Sequence, residues 1–339
     1  MQMEHSAGVV TAERLDRPPT PARHLSSDTT RAAMRVQNEV LRAVRAFLAD
    51  EGFVELLPPV IGPVTDPGTR GSKQLDVDYY GHRYKVMTSG ILYKQASLLA
   101  FDKLFFVAPN VRAEPPETCS TRRHLAEFHQ IDLEVAGAGQ AEAMALAEQL
   151  LVHVVRQVLV AVPDQLDLLG RDPAGFAGLL DGPFDVLTHR QAVAALHALR
   201  HPQSPDTEIA WTGEELLSER ADRPFFVTDY PKGSRGFYDR ESRTEPGRLC
   251  NFDLIAPGGY GELVSGSERE ADYAAIVTRM RETGENPAKY LWYLDVIRGG
   301  IPPSAGFGMG LERLTRFLTG LPSVWQVNAY PKIPGEVAP

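Results

Sequence analysis

The segment Glu127-Phe-His-Gln-Ile-Asp-Leu-Glu-Val135 constrains the fold more than any other stretch of the chain. Successive side chains of a strand point to opposite sides, so Ile131, Leu133 and Val135 share one face and Phe128, Gln130, Asp132 and Glu134 share the other. The first face is core. The second carries an aromatic and two carboxylates and is too polar to bury without partners. It is either a solvated sheet face or the floor of a site, in which Phe128 offers a stacking surface and Asp132 or Glu134 engages a cation.

Around that strand the patterns alternate between helix and strand. Asp28 is a plausible N-cap for a long helix with Met34, Val40, Leu41, Val44, Phe47 and Leu48 as its apolar stripe; Gly52 ends it, and Phe53–Leu57 follows as a strand that stops at Pro58-Pro59. Residues 62–75, rich in Gly and Pro, read as a mobile loop. Leu104–Val111 reads as a strand and Gln140–Val160 as a helix with Ala147, Leu151, Val154, Val155 and Val158 on one face. Strands are expected at Leu249–Ala256 and Glu262–Gly266, then helices near 267–283, 287–298 and 310–319. Mixed strands with turn-like connections predict an α+β domain on an antiparallel sheet flanked by helices. The expected organisation is a flexible N-terminal arm over residues 1–27, a catalytic domain over 28–339, and an insertion at about 163–224.

Composition excludes several classes. The 339 residues are 43% hydrophobic and 23% charged, as in ordinary globular proteins. Two cysteines, Cys119 and Cys250, are too few for a disulfide framework or a cysteine-rich zinc site. No run approaches the ~18 continuous apolar residues of a membrane span, and no signal core opens the chain, so no membrane partner and a cytoplasmic location are expected. The net charge of −9 argues against a nucleic acid as an obligate partner.

Two further segments carry chemistry. Arg112 and Glu114 share a strand face, and with Arg122, Arg123 and His124 across the next loop they concentrate cations suited to polyphosphate, because guanidinium binds phosphate oxygens bidentately. Gly306-Phe-Gly-Met-Gly-Leu-Glu-Arg313 runs into a helix with Leu311, Leu314, Phe317 and Leu318 inward, and its glycines permit close approach of backbone to a ligand. It is not a P-loop, since no Lys-Ser/Thr follows.

In combination these segments resemble the three signature motifs of the class II aminoacyl-tRNA synthetases. The helix, strand and Pro59 look like motif 1; Arg112-Ala-Glu114 through Phe128 looks like motif 2; Gly308-Met-Gly-Leu-Glu-Arg313 looks like motif 3. Thr121–Glu134 is most similar to the aspartate/asparagine subgroup. The resemblance implies that Arg112 holds the α-phosphate of ATP and that Phe128 and Arg313 sandwich the adenine. It also implies that Glu114, Arg123 and His124 line the rest of the nucleotide pocket, that Asp253 and Glu262 hold Mg²⁺, and that motif 1 builds a homodimer.

Thr88-Ser-Gly-Ile-Leu-Tyr-Lys-Gln95 resembles the amino-acid-binding segment of aspartyl-tRNA synthetases. By that resemblance Ser89, Lys94 and Arg269 contact the substrate and Asp132 holds its ammonium, so that two cations facing a side-chain carboxylate favour aspartate. Ile91 stands where the family usually has Gln, and the loop Pro115–Thr121 is longer than in tRNA-charging relatives. Only about 30 residues precede motif 1, too few for the anticodon-binding domain of that subgroup. This layout resembles archaeal-type asparagine synthetases. The resulting expectation is an AMP-forming ligase that activates aspartate with ATP and Mg²⁺ and transfers it to ammonia, with no tRNA partner. The competing readings are an amide ligase using another amine, a truncated aspartyl or asparaginyl-tRNA synthetase acting on RNA, and a regulatory paralogue that only binds ligand.

Overall fold

The computed structural model describes residues 17–68 and 71–336. Residues 1–16 of the expected arm and residues 69 and 70 of the 62–75 loop lie outside the described residues. In the remainder of the arm, Pro21–Leu25 is a short helix whose buried His24 pairs through Nε2 with Asn328 O at 2.8 Å. In the remainder of the loop, Thr65 and Asp66 are buried rather than free, with Thr65 Oγ1 accepting from Thr88 N.

The long N-terminal helix runs from Asp28 to Asp50, and its N-cap is Ser27, one residue before the expected Asp28, with the serine Oγ accepting from Thr30 N at 3.1 Å. Ala33, Val36, Val40, Val44 and Leu48 recur at helical spacing and are wholly buried. Val36, Val40, Val44 and Leu48 pack against Ala147, Leu151, Val154, Val155 and Val158 of the helix Gln140–Ala161. Burying each such aliphatic side chain stabilises the fold by roughly 1.5–3 kcal/mol. The two helices lie under one face of the main sheet and leave its other face for chemistry.

That sheet has eight strands: β1 (Val54–Glu55), β5 (Lys103–Val111), β6 (Glu127–Ala136), β7 (Asp185–Thr188), β8 (Phe225–Thr228), β9 (Asn251–Ala256), β10 (Gly261–Glu268) and β11 (Ser304–Gly310). A small second sheet holds β2 (Ile61–Gly62), β3 (Asp76–Tyr79) and β4 (His82–Val86). The main order is β1-β5-β6-β11-β10-β9-β8-β7. The six central strands pair antiparallel, as expected. Both edge pairs, β1 with β5 and β7 with β8, are parallel, which the sequence reading did not anticipate. Strand β7 lies within the 163–224 segment, so part of that segment extends the main sheet.

The glycine-rich run near the C-terminus is itself a strand. Phe307 and Met309 of β11 point into the core beside Ile131, Leu133, Phe252 and Leu254, and Gly306, Gly308 and Gly310 take the opposite face. The final helix, Leu311–Thr319, starts directly where β11 ends and buries Leu311, Leu314, Phe317 and Leu318.

Candidate active site

The antiparallel register aligns functional side chains across the sheet. Asp132 lies opposite Gly308, Gly308 opposite Ser265, and Ser265 opposite Asp253. A second row runs Glu134, Gly306, Ser267, Asn251. The glycines are required by close approach. A Cβ on Gly306 would sit 2.2 Å from Glu134 Oε2 and 2.2 Å from Leu133 O, and one on Gly308 would sit 2.8 Å from Asp132 Oδ1. Without those carbons, β11 forms the bottom of a trough into which the acidic side chains of β6 lean.

Buried cations fill the lower end of the trough. Lys94, on the helix Ile91–Ser97, is 1% exposed and not solvated as a helical lysine usually is. Its ammonium donates to Asp132 Oδ1 at 3.1 Å, Leu133 O at 3.3 Å and Phe307 O at 3.2 Å, and lies 3.6 Å from Glu134 Oε2. Arg269 Nε donates to Glu134 Oε1 at 3.2 Å, Nη1 to Asp239 Oδ1 at 3.1 Å and Nη2 to Gly306 O at 2.9 Å. Burial pushes the Asp239 carboxyl above the usual carboxylate range, and Arg269 opposes the rise. Ser89 is buried at the start of the same helix.

At the other end lie the residues selected for nucleotide binding. The Arg112 guanidinium sits 5.0 Å from the Phe128 ring centroid, and its Nε donates to Thr88 O at 3.0 Å. Arg313 Nη1 donates to Glu262 Oε1 at 3.1 Å, while Arg123 pairs with Glu214 at 2.6 Å. Burial, aided by repulsion from Arg123, pulls the Arg313 guanidinium below its ordinary value. Glu114 and His124 face the same space. Ser89, Lys94, Arg112, Glu114, Arg123, His124, Phe128, Asp132, Glu262, Arg269 and Arg313 all line one cavity of about 440 Å³. Asp253 is set just behind it, with Oδ2 accepting from Arg235 Nη2 at 2.5 Å.

Asp253 and Glu262 supply hard oxygen donors of the kind Mg²⁺ takes. Among the described residues no group of three acidic, His or Cys side chains forms a closed metal cage. Glu262 lines the cavity and Asp253 lies on the neighbouring strand behind it, so an ion held there would draw its remaining ligands from nucleotide phosphates and water.

Several cavity residues were not legible in the sequence. Asp66 accepts from Tyr238 OH at 2.8 Å across 172 residues of chain, and burial pushes its carboxyl up despite the Gly68 N–H and Arg112. In sequence it is an acid in a Pro/Gly turn, where acids are ordinary. Arg235, Asp239, Glu208 and Glu214 lack any periodic pattern that would mark them.

At the edge of the cavity, Glu312 binds β6 to the final helix. Its carboxylate accepts from His129 N at 3.0 Å and Asn328 Nδ2 at 3.2 Å, and pairs with His129 Nδ1 at 3.0 Å. This bond raises the His129 imidazole above its usual value of about 6.5, with burial opposing. A raised folded-state pKa gives a stabilisation that is complete below about pH 6.5 and is lost as pH rises through the folded value. The urea midpoints of the parent and His129→Gln proteins should therefore differ most below about pH 6.5 and converge towards pH 9. A gap constant with pH would show that the imidazole charge contributes nothing.

The family model described as tRNA synthetases class II (D, K and N) matches residues 19–334. The chain is 35% identical over 314 residues to the asparagine–tRNA ligase of Thermus thermophilus, covering 91% of this chain and 71% of that protein. It is 32% identical over 322 residues to the asparagine–tRNA ligase of Pyrococcus abyssi, covering 93% and 71%. The crystal structure of asparaginyl-tRNA synthetase from Pyrococcus horikoshii complexed with asparaginyl-adenylate superimposes with a TM-score of 0.88 at 30% identity, over 94% of this chain and 72% of that one. These relatives overturn the expectation of an ammonia-using asparagine synthetase with no tRNA partner, because each is named for ligation to tRNA. That expectation rested on the short stretch before motif 1 and on the net charge, and neither reports on the acceptor that a catalytic site serves.

Proposed function

We propose that this chain, which belongs to the class II tRNA synthetases of the D, K and N group, activates asparagine with ATP and transfers it to tRNA. The substrate carboxylate attacks the α-phosphorus and pyrophosphate leaves; a ribose hydroxyl of tRNA then attacks the acyl carbon and AMP leaves. The carboxylate is already ionised, so the first step needs orientation and charge neutralisation rather than a general base. In this reading Arg112 and Arg313 neutralise the phosphates, Arg313 also closes over the base that Phe128 stacks, and Glu114, Arg123 and His124 shape the nucleotide end. Asp253 and Glu262 would hold Mg²⁺, which shields phosphate charge when bound.

The choice of amino acid rests on the charge of the floor. Lys94 and Arg269 are already paired with Asp132, Glu134 and Asp239. Among the described residues of the floor no surplus cation is left for a second substrate carboxylate, whereas Asp132 suits an α-ammonium and a neutral amide adds no charge. In this reading the expected grip of Lys94 and Arg269 on an aspartate side chain gives way to a floor whose three carboxylates outnumber its two cations.

Amino-acid-dependent ATP–pyrophosphate exchange tests this. Asparagine should support exchange at least about 10²-fold better than aspartate in kcat/KM, as charge mismatch in a buried site dictates. Exchange supported equally or better by aspartate would refute the assignment. The exposed Leu57 and Val60, on either side of Pro58-Pro59 at the end of the Asp28–Pro59 unit, support the expected homodimer, which sedimentation equilibrium would check.

A further inference from the structure

The turn that joins β9 to β10 places Tyr260 two residues before Glu262 of the cavity. Gly258, Gly259 and Gly261 beside it have φ of 70°, 78° and 74°, which fixes a tight turn with Tyr260 as its one aromatic side chain. The Tyr260 ring packs edge-on against Phe317 of the final helix at 5.4 Å, and Phe317 meets Phe176 perpendicularly at 5.6 Å. Two guanidiniums stand on this aromatic shelf. Arg316 lies 4.9 Å from the Tyr260 centroid; Arg171 lies 6.0 Å from it, 4.4 Å from that of Phe176 and 5.9 Å from that of Phe317. Gly320, left-handed at the end of the final helix, makes room for Arg171, since a Cβ there would sit 3.1 Å from Arg171 Cδ. The shelf lies outside the cavity but beside it. Arg316 is one turn along the helix from Arg313, and repulsion from Arg123 and Arg313 reaches it.

Most of the donors on these two guanidinium forks are unspent. Among the described residues Arg316 donates only from Nε, to Pro322 O at 3.2 Å, and the Arg171 side chain donates to nothing, its buried Nε included. Neither forms an ion pair. The acids they feel, Glu215 and Asp172, act only at a distance, and the Asp172 carboxylate accepts from Ala174 N at 2.8 Å. Burial with no anion in contact pulls the Arg171 guanidinium below its ordinary value and that of Arg316 down to about 10. Arg123 and Arg313 are matched by Glu214 and Glu262, so the neighbourhood carries no large surplus of charge. What it offers a polyanion is open, forked donors seated on packed rings.

We propose that Arg171 and Arg316, mounted on Phe176, Phe317 and Tyr260, bind backbone phosphates of the RNA acceptor whose end enters the cavity. The inference rests on the tRNA-charging reading above. In that reading ATP occupies the cavity, so a phosphate on the shelf belongs to a chain that continues past the reacting nucleotide. Such contacts set the position of the RNA and carry no sequence information. They also give the start of the 163–224 segment, which supplies Arg171 and Phe176, a task outside the adenylation chemistry.

The test is binding of unfractionated tRNA over a series of NaCl concentrations, with asparagine-dependent ATP–pyrophosphate exchange recorded alongside because it involves no RNA. Losing two phosphate contacts should make the slope of log affinity against log salt shallower by about two, so Arg171→Gln with Arg316→Gln loses most at low salt. Exchange should stay at the level of the parent. Arg171→Lys with Arg316→Lys keeps the charge and should recover most of the slope. An unchanged slope in the glutamine pair, or exchange lost in proportion to binding, would overturn the proposal and leave both arginines as supports of the final helix. Calorimetric binding of inorganic phosphate to the parent, lost in the glutamine pair, would mark a free-anion site and refute the assignment to RNA. A parent that exchanges normally but binds no tRNA would instead overturn the transfer reading beneath it.

Discussion

Arg313→Ala should lower asparagine-dependent ATP–pyrophosphate exchange by about 10²–10³-fold, the usual loss when one preorganised charge-stabilising donor is removed. Arg313 projects from the first turn of the final helix into the cavity, where its Nη1 meets Glu262 and its Nε meets the Arg123 carbonyl at 3.3 Å. Burial and repulsion from Arg123 disfavour its charge, and Glu262 opposes them. The helix packs through Leu311, Leu314, Phe317 and Leu318, none of which the substitution touches, so the melting temperature should stay near that of the parent. Exchange within tenfold of the parent would remove Arg313 from the chemistry.

Lys94→Met should destabilise the protein by about 3–5 kcal/mol, because it strands buried carboxylates without their cation. Asp132 and Glu134 are 2% and 0% exposed, so water cannot replace the ammonium. Methionine nearly matches the aliphatic stem, so lost packing contributes little. Urea unfolding at pH 7 measures the loss, and a substitution that neutralises one of the stranded carboxylates should recover part of it. A change below 1 kcal/mol would mean that Lys94 is not the keystone of the floor charges. The double variant Lys94→Met with Asp132→Asn should recover part of the loss for the same reason.

The fold was legible where a short period decides burial. The alternation in β6 separated Ile131 and Leu133 from Asp132 and Glu134, and the helical stripes of Asp28–Asp50 and Gln140–Ala161 located the core beneath them. The parallel edge strands were not legible, because four residues such as Asp185–Thr188 carry no period of their own and are fixed by pairing with Phe225–Thr228. The glycines of β11 were read as room for a ligand, whereas the first thing they admit is the acidic side chains of β6. The residues selected in sequence for the site converge on one cavity, with Asp253 just behind it. What local sequence could not show is pairing: Lys94 reaches Phe307 across 213 residues, and Arg235 reaches Asp253 and Glu208 from a stretch with no pattern. Those ion pairs change the chemistry, since cations that looked available for a substrate carboxylate are already matched.

Charging of tRNA with radiolabelled asparagine, in the presence of ATP and Mg²⁺, tests the proposed activity most directly. Asparagine should become acid-precipitable on tRNA in an ATP-dependent reaction that Arg313→Ala abolishes, and aspartate should be a poor substitute. Asparagine-dependent exchange with no label on tRNA, or label supplied by aspartate instead, would contradict it.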